Sequence, residues 1–100
     1  MTLDLNVQVW LDTYVQAGQT ILVPHVRVEH GMRLRYRVDV LQQSRNGKSR
    51  INQQGEVDVP AGADTSLSRL SLTLDASREC SVELTLHDRE RKVGVFRFEC

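Results

Sequence analysis

The sequence predicts an all-β domain: an immunoglobulin-like two-sheet β-sandwich of about seven antiparallel strands, spanning residues 1–100. Three observations predict it. Apolar residues recur at every second position along most of the chain, the mark of half-buried strands. No stretch keeps a helical period, and there is no internal repeat. Turn-forming Gly, Pro and Asn punctuate the alternation at short intervals. A small closed barrel satisfies the same pattern and is the alternative architecture, because alternation does not distinguish the two topologies.

The elements follow in order. Leu3, Leu5, Val7 and Val9 mark the first strand. Ile21, Val23, Val26 and Val28 mark the second, and their parity slips across Pro24, as a β-bulge requires. In the third, Met32, Leu34, Tyr36, Val38 and Val40 alternate with Arg33, Arg35, Arg37 and Asp39. Ser44-Arg45-Asn46-Gly47-Lys48 reads as a turn, since Asn-Gly accepts positive φ cheaply. A weaker strand region from Ser49 to Val59 is broken by Gly55, and a loop follows at Pro60-Ala61-Gly62-Ala63-Asp64. Leu70, Leu72 and Leu74, then a loop at 75–78, then Val82, Leu84 and Leu86, and finally Phe96 and Phe98 complete the set. Leu34, Tyr36, Val38, Leu72, Leu84 and Phe96 are the expected core.

Composition narrows the function. Thirteen basic residues balance thirteen acidic ones. A nucleic-acid-binding domain carries net positive charge, so no nucleic-acid partner is expected. No run of about 18 apolar residues exists to insert into a membrane. The stretch Met1 to Leu11 is interrupted by Asp4, Asn6 and Gln8 and lacks a basic start, so it does not read as a secretion signal. If the protein is exported, the expectation is a mature form behind an added start Met. No nucleophile elbow, phosphate-binding glycine loop or metal-ligand spacing occurs. His25, His30 and His87 sit at strand or turn positions and read as solvated or locally hydrogen-bonded. Neither an enzyme nor a cofactor or metal site is expected.

Two cysteines, Cys80 and Cys100, bracket the last hairpin. Opposed residues in an antiparallel pair face the same side. With Val82, Leu84 and Leu86 facing in from one arm and Phe96 and Phe98 from the other, a short turn over Arg89-Glu90-Arg91 places Leu84 opposite Phe96 and Val82 opposite Phe98. Cys80 then falls opposite Cys100, at the spacing a disulfide requires. Two buried free thiols are the alternative. A bridge would point to an exported protein.

The arginines are the other feature. A tight turn at Gly31 would pair the second and third strands as a hairpin, with Val28 opposite Leu34 on the core side. On the outer side Arg27 would then oppose Arg35, Glu29 would oppose Arg33 and His25 would oppose Arg37. Like charges directly opposed are mildly destabilising. A face carrying Arg27, Arg33, Arg35 and Arg37 therefore reads as an electropositive partner-binding surface. An ordinary solvated sheet face is the alternative.

From Leu22 to Phe98 the order of elements resembles the curli-associated periplasmic chaperones of the CsgC-like family, nearer to its CsgH branch. The matching segments are Val23-Pro24-His25-Val26, the alternating strand Met32–Leu41, the polar stretch Gln42–Gly55, Val59-Pro60-Ala61, the block Leu70-Ser71-Leu72-Thr73-Leu74, and Val82–Asp88. The resemblance implies an immunoglobulin-like sandwich in the periplasm. It implies a monomer that keeps an amyloid-prone curli subunit (CsgA-like) from nucleating and assembling into fibres. Arg35 matches a basic position of the family. Met32, Arg33 and Leu34 stand where CsgC carries a Cys-x-Cys pair, so a redox role tied to that pair does not transfer. The alternatives from other classes are an exported adhesion or pilus-type module that adds a partner strand to its edge, and a thiol-handling periplasmic protein.

Overall fold

Strict alternation over residues 32–40 makes the central strand of the larger sheet, and the rest of that sheet is built outward from it. In the computed structural model, which describes residues 7–45, 47–73 and 79–100, this strand is β3 (Met32–Ser44). Leu34, Val38 and Val40 are fully buried on one side, and Arg33, Arg35 and Arg37 are exposed on the other. Eight strands are present, about one more than expected, and no helix among the described residues. The first sheet holds β1 (Val7–Gln16), β2 (Gln19–Val28), β5 (Thr65–Ser66) and β6 (Leu70–Leu72), with β1 on one side of β2 and both short strands on the other. The second sheet runs β4 (Gly47–Val59), β3, β7 (Glu79–Asp88), β8 (Arg91–Glu99). Every strand pairing is antiparallel. The result is a sandwich of two open sheets. Leu3, Leu5, Asn46, Leu74 and the loop at 75–78 lie outside the described residues.

The core is what the two inner faces enclose. Leu22, Val26 and Val28 come from the first sheet, with Leu67, Leu70 and Leu72 beside them. Leu34, Val38, Val40, Val82, Leu84 and Leu86 come from the second. Each buried Leu or Val is worth roughly 1.5–3 kcal/mol of transfer free energy. Leu34, Val38, Leu72 and Leu84 occupy the core as expected. Tyr36 and Phe96 lie at its margin, partly buried against it.

Four local expectations are corrected. First, β2 and β3 do not pair. The chain crosses from one sheet to the other between them, so Val28 and Leu34 belong to opposing inner faces. Alternation fixes which side of a strand is buried but not which sheet the strand joins. Gly31 does not take up the positive φ of a tight turn. Second, β2 has no bulge at Pro24. Its register with β1 is continuous from Val7↔Val28 to Gln16↔Gln19, and Leu22, Pro24, Val26 and Val28 all face the core. Val23 faces outward. Pro24 is tolerated because its carbonyl accepts from the Leu67 N–H at 2.9 Å, in the gap between β5 and β6. Its missing N–H falls on that same side, where no ladder bond is required.

Third, β4 is not broken at Gly55. The residue opposite it is Tyr36, whose ring folds over the glycine. An added Cβ would lie 2.5 Å from the phenolic oxygen. Fourth, the last turn is one residue shorter than expected. Asp88 pairs Arg91, and a register shift at Leu86/His87 absorbs the difference. Beyond that shift the expected register holds: Leu84↔Phe96 and Val82↔Phe98.

The Cys80–Cys100 disulfide is formed, with Cα atoms 5.1 Å apart, and the Cys100 N–H donates to the Cys80 carbonyl at 3.1 Å. It closes the open end of the β7–β8 hairpin. A cross-link spanning about 20 residues stabilises by roughly 3 kcal/mol in the chain-entropy description.

Candidate partner-binding face

The outward side of β3 presents Arg33, Arg35 and Arg37, and its partners on each side complete the face. On β4, Asp58 stands opposite Arg33, Glu56 opposite Arg35 and Gln54 opposite Arg37. On β7, His87 stands opposite Arg35 and Thr85 opposite Arg37. The like-charge opposition expected from a β2–β3 hairpin therefore does not occur. Carboxylates and an amide face these arginines from β4, and a histidine and a threonine from β7. Arg27 lies on the outer side of the other sheet, opposite Gln8, and takes no part in this face. The structure brings three of the four arginines together.

Two of the three are neutralised locally. Arg33 Nε donates to Glu56 Oε2 at 2.9 Å, and its Nη1 lies 3.7 Å from Asp58 Oδ1. The hydrogen bond to Glu56, and then the charge of Asp58, push the Arg33 guanidinium further above its ordinary value. Arg37 Nε donates to Asp39 Oδ2 at 3.0 Å. The other oxygen of Asp39 accepts from Asn52 Nδ2 at 2.6 Å. Arg35 differs. Its Nη2 donates to the Arg89 carbonyl at 3.0 Å, and among the described residues no carboxylate lies within ion-pair distance of it. A guanidinium carries five N–H donors, so most of its fork remains available.

Arg35 opens into a cleft where Arg33, Arg89 and Arg91 stand beside three carboxylates, Glu56, Asp88 and Glu90. Arg89 sits in the β7–β8 turn at φ 59°, the left-handed region that non-glycine residues seldom occupy. Its carbonyl is held there by Arg35. Lys92 on β8 stands opposite His87 on β7, and Arg91 is partnered by Asp88 at 3.4 Å. The face can thus offer a partner one arginine fork within a surface of otherwise matched charges.

The first sheet carries a second cluster that sequence reasoning missed. Trp10 and His25 are opposed across β1 and β2, and their rings stack at 5.4 Å and 3°. His25 Nε2 lies 2.8 Å from Asp12, and its Nδ1 lies 2.9 Å from Asp64. His25 is hydrogen-bonded, as the sequence reading allows, but to carboxylates distant in sequence, and it stands opposite Trp10 and not Arg37. The signal for this cluster was the outward parity of Trp10, Asp12 and Tyr14. It becomes visible only once β1 is known to pair β2.

The chain belongs to the Tafi-CsgC family, described as a thin aggregative fimbriae synthesis protein, whose model matches residues 2–92. Two solved structures share the fold. One is the E. coli curli protein CsgC, with 19% identity, 93% of this chain and 96% of that chain covered, and a TM-score of 0.75. The other is the solution structure of R. palustris CsgH, with 17% identity, 93% and 91% covered, and a TM-score of 0.76. A comparison with curated protein sequences returns no match.

Proposed function

We propose that this chain is a periplasmic, chaperone-like inhibitor of nucleation and fibre assembly by an amyloid-prone curli subunit of the CsgA type. It acts as a monomer, without catalysis, through the arginine-bearing face of the second sheet. Membership of a family of thin aggregative fimbriae synthesis proteins supports the curli connection. The disulfide supports an oxidising compartment. The observation that carries the reading is Arg35. It is an exposed guanidinium held in place by a backbone carbonyl, with no carboxylate among the described residues within ion-pair distance of it. Such a group favours contact with the carboxylates and amide carbonyls of a passing unfolded chain.

A fibrillation time course of a curli subunit, with and without substoichiometric amounts of this protein, tests the reading. The lag is expected to lengthen severalfold while the final fibre signal falls. A lag unchanged at equimolar protein would overturn it.

A further inference from the structure

The sandwich has several free sheet edges, and one of them carries the fewest of the devices by which proteins protect an edge. Exposed edges are usually blunted by charges, prolines, bulges or brevity. The outer edge of β4 carries Lys48, Arg50, Glu56 and Asp58. β8 carries Arg91, Lys92, Arg97 and Glu99 and a register shift. β5 and β6 are two and three residues long and interrupted. β1 runs ten residues in unbroken register, without proline or bulge, and no described strand pairs with its outer side. Its one charged residue, Asp12, is occupied by His25.

The side chains along this edge are incompletely covered. Val26 and Val28 on β2 are fully buried, whereas Val9 and Val7, their partners on β1, are only partly buried, as is Leu11. Among the described residues, the exposed large hydrophobic ones, Tyr14 at 43% and Val15 at 74%, both lie on β1. One more strand alongside would finish the cover.

We infer that the outer edge of β1 is a strand-addition site for an extended, uncharged, β-prone segment of a partner polypeptide. This rests on the proposed function in taking that partner to be the amyloid-prone client. The chemistry follows from the edge itself. Val7, Val9, Leu11 and Val15 ask for apolar residues at alternate positions, and Gln8, Trp10, Tyr14 and Gln16 ask for amide, hydroxyl or aromatic ones between them. Asp12 is the one charged residue on the strand and it already holds His25, so the edge offers little to a charged segment. Main-chain hydrogen bonds then supply affinity that is indifferent to the details of sequence. The edge lies in the opposite layer from Arg35, so the two sites are separable by mutation.

The test uses the full-length protein with the Thr13→Lys/Val15→Lys double substitution. Both side chains are exposed, so the fold is expected to stay intact, as a thermal melt checks. Amide hydrogen exchange is followed with and without a monomeric curli subunit. Exchange over residues 7–16 is expected to slow at least tenfold with the subunit, and inhibition of its fibrillation to fall at least fivefold in the lysine variant. A parent that inhibits while β1 exchange is unchanged and the lysine variant inhibits equally overturns the edge site and leaves the proposed function standing. A parent that does not inhibit at all overturns the proposed function. The edge is then judged with a blocked synthetic decapeptide alternating threonine and valine: slowed exchange over 7–16 supports it, and unchanged exchange overturns it. Protection that grows with the protein's own concentration, without any partner, overturns the client as occupant in favour of a second copy.

Discussion

Arg33, Arg35 and Arg37 have the same parity, the same strand and the same side of the sheet, yet their guanidinium groups meet different partners. Arg33 and Arg37 each hold a carboxylate, and Arg35 holds a backbone carbonyl. Replacing Arg35 with alanine is expected to lower inhibition of fibrillation about tenfold, the equivalent of one lost charge-assisted contact of roughly 1.4 kcal/mol. Replacing Arg27 is expected to leave inhibition unchanged, because Arg27 sits on the opposite layer. Side-by-side fibrillation assays of the two variants check this, and equal losses would refute it. Sequence parity revealed that these arginines face solvent. Which of them is neutralised was hidden, because Glu56 and Asp58 reach the face only through the β3–β4 register. Arg27 was misplaced for the same reason: its outward parity is correct, and its sheet is not.

At the scale of elements, the hairpins were legible where their own residues constrain them and illegible where a sheet boundary intervenes. The β7–β8 register followed from matching Val82, Leu84 and Leu86 to Phe96 and Phe98, and the disulfide followed from the register. Reducing that bridge is expected to lower the melting temperature by more than about 10 °C, since roughly 3 kcal/mol is lost from a domain of about 100 residues. Calorimetry with and without reductant reads the difference. The interruption expected at Gly55 has a physical cause that points the other way. The glycine is there because the Tyr36 ring occupies the space of its side chain. Gly55→Ala is expected to displace that ring and cost about 1–3 kcal/mol, as overpacking does. Urea unfolding would show it, and a variant as stable as the parent would mean that Tyr36 swings clear without loss.

For the whole molecule, the sandwich was legible because alternation of apolar and polar residues leaves two inner faces to be buried together. The pairing of β1 with β2 and the crossing between β2 and β3 were not, because both are settled by which sheet each strand joins. That crossing separates the basic face from the Trp10–His25 face and sets the range over which charge acts. The chain has no net charge, so it does not attract a partner from a distance as a whole. Arg33, Arg37 and Arg97 are each paired within about a contact length, and their fields largely cancel beyond it. Attraction must then come from Arg35, over no more than the screening length of about 10 Å at 0.1 M salt. Raising salt to about 0.5 M shortens that length by roughly half and is expected to weaken inhibition by the parent severalfold. The Arg35→Ala variant, having lost the group that salt screens, is expected to respond little. Strand addition at β1 is carried by main-chain hydrogen bonds and apolar burial, which salt does not screen, so a residual, salt-independent inhibition is expected in both proteins. Lag times measured for parent and variant at low and high salt check all three statements. A parent indifferent to salt, with Arg35→Ala as active as the parent, would remove Arg35 from the mechanism and leave the β1 edge to account for whatever inhibition remains.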